Sequence, residues 1–469
     1  MKIAFIHYHL KTGGVTTVIK QQVSSIRDTC DVLVLTGEPP KSPFPTEVIH
    51  IPGLAYDRPD RQSIPPDKVA DSIIRAIRSR WENGCDVLHV HNPTLAKNRN
   101  LQRILHSLQE KGITLFLQIH DFAEDGRPHS YFQEPYTANC HYGVINRRDY
   151  RILKRAGLKP EGLHLILNTV SPLDLSSGDK PSSSRILYPI RAIRRKNIGE
   201  AILLSLYFNP GESLAVTLPP NSPVDIRSYN GWKQFVQKMR LPVEFDFGVN
   251  RKFHDVVSSS KYLITTSITE GFGFSFLEPW TGGKFLWGRK LPDICRTFET
   301  DGLNLDHLYT RLMVPVDWLD IDMFKTRWTS CVSNNLARFG RKVDTRQIET
   351  AFLTLSRDGQ IDFGVLDEPL QKQVITYLCT DKRHTQQLAE INPFLYEIGR
   401  ANQMKELIHN NRRTVLDCYS EAAYRHKLME VYQRVINIPI HHAIDKHSLV
   451  SSFLDLENFS LLKWGDYVE

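Results

Sequence analysis

A chain of 469 residues exceeds one compact core and suits two or three domains of ordinary size. Its 41% hydrophobic and 10% aromatic residues can bury sizeable cores, which excludes a chain disordered by composition. The net charge of +7, from 59 Lys plus Arg against 52 Asp plus Glu, is spread too thinly for the basic, aromatic-rich stripe of a nucleic-acid binder.

The opening run, MKIAFIHYHLKTGG, is a short apolar stretch interrupted by His, with no small-residue cleavage site behind it. It reads as a first β-strand, Lys2–Tyr8, and not as a signal peptide. A Gly13-Gly14 turn follows, then a helix with Val15, Val18, Ile19, Val23 and Ile26 on one face. Val32–Leu35 is a second strand. Asp67 opens a helix striped by Val69, Ile73, Ile74, Ile77 and Trp81 and closed by Gly84. Asp86–Val90 is the next strand; Leu101, Ile104, Leu105 and Leu108 mark a helix that ends at Gly112, and Ile113–Ile119 is a strand apolar on both faces. This alternation predicts βαβ units and a parallel sheet.

Ser171–Arg185, rich in Ser, Pro, Gly and charge, is the predicted linker. Beyond it the rhythm restarts, with strands expected at Ile186–Ile190, Leu214–Leu218, Val243–Phe247 and Tyr262–Thr265. From about Phe298 the pattern turns mostly helical, and Thr414–Ile436 reads as its strongest helix. The fold class expected is α/β, with two Rossmann-like, doubly wound domains around a cleft and a helical C-terminal region. Residues 1–175, completed by 414–469, form the first domain; residues 185–413, with a helical insertion over 296–413, form the second.

Seven Cys stand far apart with no CxxC pair, so neither a zinc site nor a disulfide framework is expected, and a reducing, cytoplasmic compartment fits. No apolar run reaches the ~20 residues of a membrane span. Peripheral contact with anionic lipid stays open, through the basic run Asn146–Arg155 or otherwise; a wet helix face is the plainer reading of that run.

The chemistry concentrates in TEGFGFSFLE, residues 269–278. Glu270 lies in the loop after the strand Tyr262–Thr265, on the side where open α/β sheets bind ligands. Gly271 and Gly273 let backbone N–H groups approach a ligand closely. A helix expected from near Phe274 would turn its positive end to that site, with Glu278 in its first turns. The alternative is a solvated Glu before a tight turn and a second Glu on a helix surface. In IRAIRRKN, Arg191 precedes Lys196 by five residues after a strand, a pairing suited to a pyrophosphate or, alternatively, a solvated basic helix start.

The segment TEGFGFSFLE resembles the E-x7-E motif of retaining GT-B glycosyltransferases of the family-4 type. Arg191 and Lys196 are similar in spacing to that family's diphosphate-binding pair, although Asn197 stands where the family has Gly after the Lys, and Ile190 where it has Gly before the Arg. The loop His9–Thr16, with Gly13 and Gly14, resembles the family's Gly-rich loop; His120 in QIHDF resembles its sugar-facing His, and His91 in LHVHNP its acceptor-side His. The blocks 1–295 and 414–436 carry the resemblance, and 296–413 does not.

The resemblance implies transfer of a sugar from a UDP-, GDP- or ADP-sugar to an acceptor hydroxyl, with retained anomeric configuration and no cofactor or metal. It assigns His120, Glu270, Arg191 and Lys196 to catalysis. Gly13, Gly14, Arg191, Lys196, Glu270, Gly271, Phe272, Gly273, Phe274 and Glu278 would bind the donor, and His91 would serve the acceptor side. Alternatives are a non-catalytic sugar-nucleotide binder or a GT-B phosphorylase or epimerase. His89 and His91 share a strand face, which raises a metal reading, but no third ligand is suggested nearby. Asp320-Ile321-Asp322 is a DxD of the kind another fold uses for metal, and His441, His442 and His447 cluster without a defined ligand geometry.

Overall fold

The computed structural model describes residues 1–40, 43–60, 62–173, 184–342, 344–398 and 404–467. The chain divides into two compact units, Met1–Val170 with Asp417–Leu454, and Ser171–Leu416 with Asp455–Glu469.

The first unit is a parallel sheet of β1 (Lys2–His7), β2 (Asp31–Thr36), β3 (Glu47–His50), β4 (Val87–His91), β5 (Leu115–Ile119), β6 (His141–Val144) and β7 (Leu163–Leu165). Their order is β3-β2-β1-β4-β5-β6-β7, so the winding reverses between β1 and β4. Every residue of β4 and β5 is buried, as expected of strands covered on both faces. One face packs on the helices Pro66–Arg80 and Leu101–Glu110 through Val69, Ile73, Ile104 and Leu108. The other packs on Gly14–Ile26 and on the late helix Glu421–Asn437, through Ile19, Val23, Leu428 and Tyr432.

The second unit has the parallel sheet β8 (Arg185–Arg191), β9 (Ser213–Leu218), β10 (Val243–Glu244), β11 (Tyr262–Thr265) and β12 (Leu286–Gly288), in the order β10-β9-β8-β11-β12. Here the reversal falls between β8 and β11. The loops leaving the ends of those two strands lie at that reversal, the usual ligand position in such sheets. An antiparallel pair, β13 (Met313–Pro315) and β14 (Gln360–Asp362), and the helices Ile321–Arg338, Thr345–Leu355, Glu368–Thr380 and Lys382–Ile391 complete the unit.

Several expectations need correction. The strand expected over Val243–Phe247 ends at Glu244, because Asp246 takes a left-handed conformation (φ 61°) that breaks the extended run. Thr414–Ile436 is not one helix. Lys405–Cys418 and Glu421–Asn437 are separated at Tyr419-Ser420, where Ser420 caps the second helix by accepting from the Ala423 N–H. The Tyr419 carbonyl instead accepts from Val170 N and Thr169 Oγ1. The end of the chain, Asp455–Glu469, belongs to the second unit and not to the first. There Phe459 and Trp464 stack at 5.6 Å, and Trp328 Nε1 donates to the Phe459 carbonyl. Of the expected linker, residues 174–183 lie outside the described residues.

The features set aside in the sequence have structural occupations. Asp320 caps its helix by accepting from Met323 N, and His442 clasps the Cys140 carbonyl and the Lys159 N–H. In the basic run, Arg148 pairs with Asp125 while Arg147, Arg151, Lys154 and Arg155 are exposed. No helix among the described residues is long and apolar enough to cross a membrane.

Candidate active site

In the second unit the loop after β8 is stitched to the loop after β11. Tyr188 Oη donates to the Lys196 carbonyl (2.6 Å), Thr266 Oγ1 to the carbonyls of Lys196 and Asn197, and Ile268 N to the Arg195 carbonyl (3.0 Å). These bonds set Lys196 beside Glu270, and the two form an ion pair with the Nζ bonded to Oε1. Burial works against the charge on Glu270, yet the Lys196 and Arg195 cations hold its carboxyl below the ordinary value.

Lys196 and Glu270 line a cavity of about 240 Å³ together with Arg191, Gly273, Phe274, Ser275 and Glu278. Glu278 is the contrasting carboxylate. Burial pushes it up to about 7 against the opposing pull of Lys196, and its side chain has no hydrogen-bond or ion-pair partner among the described residues. The Ser275 hydroxyl is also buried without a partner. Both groups line the cavity; a buried hydroxyl without a partner, such as that of Ser275, is a costly arrangement. Gly273 is left-handed (φ 98°), and a Cβ there would come within 2.9 Å of Ile294 and 3.0 Å of Phe276. Only glycine fits.

The sequence expectations for this loop divide. Glu270, Gly273, Phe274, Glu278, Arg191 and Lys196 share the cavity. Phe272 does not line it: the ring is buried against Phe274 and Phe298 at 4.9 and 5.6 Å. Gly271 is likewise absent from the lining. The helix expected from near Phe274 is a 3-10 turn, Phe274–Phe276, followed by the four-residue helix Glu278–Thr281. Pro279 cannot continue the preceding turn, because its nitrogen carries no hydrogen. So short a helix carries only a small dipole. The Arg191 guanidinium donates to the Pro219 carbonyl (2.9 Å) and to Asn221 Oδ1 (2.8 Å).

In the first unit the ends of β1, β4 and β5 gather histidines. His91 Nδ1 and His120 Nε2 are 2.9 Å apart, and the rings stack at 5.2 Å. His89 is bonded to Tyr432 Oη and Gln118 Oε1, each at 2.9 Å, which accounts for both of its ring nitrogens without a metal. No group of three or more metal-ligating side chains is found among the described residues. Burial pushes His120 down to about 4, His7 and His89 to about 3, and His91 well below its usual value, so the cluster is neutral near pH 7. Asn92, which the sequence reading passed over, holds the β5 exit: its Oδ1 accepts from His120 N (3.2 Å) and Asp121 N (2.9 Å). Gly13 (φ 172°) and Gly14 are not left-handed. A Cβ at Gly13 would meet nothing nearer than Lys11 O at 3.9 Å, and one at Gly14 nothing within 4 Å. The same unit carries a larger concavity, about 1010 Å³, walled by Tyr56, Asp57, Arg58, Asn98, Arg99 and Asn100.

No family model matches the chain. A solved glycosyltransferase from Rickettsia africae superimposes with a TM-score of 0.57 over 93% of this chain and 99% of its own, at 11% identity. HepE from Anabaena, solved with UDP and glucose, gives 0.54 over 92% and 99%, also at 11% identity. The chain has the GT-B glycosyltransferase fold. In sequence, this GT-B chain is 25% identical to a mannosylglucosyl-3-phosphoglycerate synthase from Petrotoga mobilis, over 97% of its own length and 98% of the relative's. The correspondence therefore runs through both of its Rossmann-like units.

Proposed function

We propose that this GT-B chain is a retaining hexosyltransferase whose second unit grips a nucleoside diphosphate sugar in the Lys196–Glu270–Glu278 cavity. The observation that carries the reading is Glu278: a half-buried carboxylate without a partner, lining the same cavity as the ion-paired Lys196 and Glu270. Vicinal hydroxyls of a ribose supply the donors that Glu278 lacks, and Glu270 accepts from the hydroxyls of the sugar. Lys196 and Arg191 offer cations to the diphosphate as it departs with growing negative charge from an oxocarbenium-like sugar. Phe253, exposed at the same cavity, presents an aromatic face to a base.

On the sequence resemblance, Gly13 and Gly14 are assigned to the donor, His120 to its sugar and His91 to the acceptor side. The acceptor hydroxyl belongs on the first unit, where exposed Arg99 on the wall of the larger concavity, beside an Arg58 paired with Glu38, suits an anionic molecule. A phosphoglycerate-bearing product in the name of the full-length relative supports that class. Cys30, Cys85, Cys140, Cys295, Cys331 and Cys379 are free thiols, which supports a reducing, cytoplasmic setting.

The test is a thermal-shift series with UDP, GDP, ADP and their sugar conjugates, followed by turnover of the E270Q variant. A nucleotide at about 100 times its Kd adds about 2.7 kcal/mol of stability. E270Q is expected to melt near the parent and to lose turnover. Stabilisation by none of the nucleotides, or E270Q turnover at the parent level, would overturn the proposal.

A further inference from the structure

Lys196 faces a conflict in the function just proposed. Its ammonium is bonded to Glu270, and a diphosphate that draws the ammonium towards itself weakens that bond. A carboxylate buried as Glu270 is does not stay charged without a counter-ion, since an uncompensated buried charge is strongly unfavourable.

The three-residue turn Arg194–Lys196 offers a second cation. Arg194 is committed elsewhere: its guanidinium bonds Glu368 at 2.7 and 2.8 Å, and only 7% of its side chain is exposed. Arg191 is held by Pro219 and Asn221. The Arg195 side chain has no hydrogen-bond or ion-pair partner among the described residues, and its Nε is buried and unsatisfied. Its backbone is fixed beside the Glu270 loop by the Ile268 N–H. A buried guanidinium nitrogen with nothing to bond is an expensive arrangement, and it makes sense as a donor held in reserve.

We propose that Arg195 is the positioning residue that takes over Glu270 when Lys196 turns to the diphosphate, so that Glu270 keeps its charge for the sugar. The inference rests on the proposed donor site. Arg195 acts with Lys196 in holding Glu270 below the ordinary carboxyl value. The other groups facing Glu270 do not substitute for it. Ser267 is a neutral donor and Tyr188 a neutral phenol; Cys295 is a buried thiol pushed up to about 12, and Glu278 is itself acidic.

The experiment is calorimetric titration of GDP and UDP near pH 7 in buffers of low and high ionisation heat, which reads protons taken up per nucleotide bound. The parent keeps Glu270 ionised, whereas in R195M the carboxyl captures a proton as Lys196 departs. R195M is therefore expected to take up more protons than the parent and to bind about tenfold more weakly, about 1.4 kcal/mol. The extra uptake should vanish in E270Q/R195M relative to E270Q, and R195K should restore the parent value. Should R195M not fold, R195Q carries the same expectation. Equal uptake in R195M, or in R195Q, and the parent would overturn the role of Arg195 alone. Failure of both nucleotides to bind the parent would remove the donor site and this inference with it.

Discussion

Glu278 shows how one unpartnered group turns into a pH dependence. Its carboxyl is raised from the ordinary 4.5 to about 7. Between those values the folded protein holds a proton that the unfolded chain has released, so stability falls as pH climbs through that window. Ligand binding runs the other way. Ribose hydroxyls donate to the ionised carboxylate, so binding favours loss of the proton and nucleotide affinity rises as pH climbs through about 7. Measured from about pH 6 to about pH 8.5, the Kd of GDP or UDP should tighten in the parent. In E278Q it should be weaker and lack that limb; a limb of unchanged slope in E278Q would assign the titration to another group. Asn197 repays attention at the same scale. It stands where the family places glycine, and its φ of 53° shows why glycine is favoured there. Asparagine is among the few other residues that enter this region readily, and here its amide bonds Glu200 Oε2 (2.7 Å) while its Oδ1 accepts from Gln371 Nε2 (2.8 Å).

Those bonds lead to the elements that hold the site. Arg289, at the end of β12, bonds Glu200 of the helix Ile198–Leu204 at 2.8 and 2.5 Å and Asp362 of β14 at 2.8 and 2.7 Å, and Tyr309 Oη donates to Glu200 Oε1. The network ties the helix that begins just after Lys196 to two strands. R289M leaves Glu200 and Asp362 buried without their cation, and a loss of about 3–5 kcal/mol is expected in denaturant unfolding. A loss below about 1 kcal/mol would mean the carboxylates have other means of compensation. The strands around this network could be read from sequence where they are buried on both faces, as at Ile186–Ile190 and Tyr262–Thr265. β3 escaped because Glu47–His50 is half-exposed and has no apolar run. Glu270, Glu278 and Lys196 could be read because their spacing is local. Arg195, Ser275 and Arg289 could not, since what distinguishes them is a partner, or the want of one, set by residues distant in sequence.

At the scale of the molecule, the chain leaves its first unit at Val170, returns to it at Asp417 and leaves again after Leu454. The apolar spacing that suggested a single helix over Thr414–Ile436 conceals the return, because Val415 and Tyr424 are both buried though they belong to different units. The two late segments therefore have separate duties. Glu421–Asn437 inserts Tyr424, Leu428, Val431, Tyr432 and Val435 into the core beside β1 and β4, and Tyr432 bonds His89. The last segment covers Trp328 and Phe339 of the second unit with Phe459 and Trp464. Ending the chain at Leu454 should leave the first unit whole and strip the second of that cover. Burying a large aromatic is worth about 3–5 kcal/mol by truncation, so the loss should be plain in hydrogen exchange. Amides of Ile321–Arg338 should exchange faster in the shortened chain while those of β1, β4 and β5 keep their protection. Faster exchange in β4 and β5, with Ile321–Arg338 unchanged, would place the last segment's stabilising effect in the first unit instead.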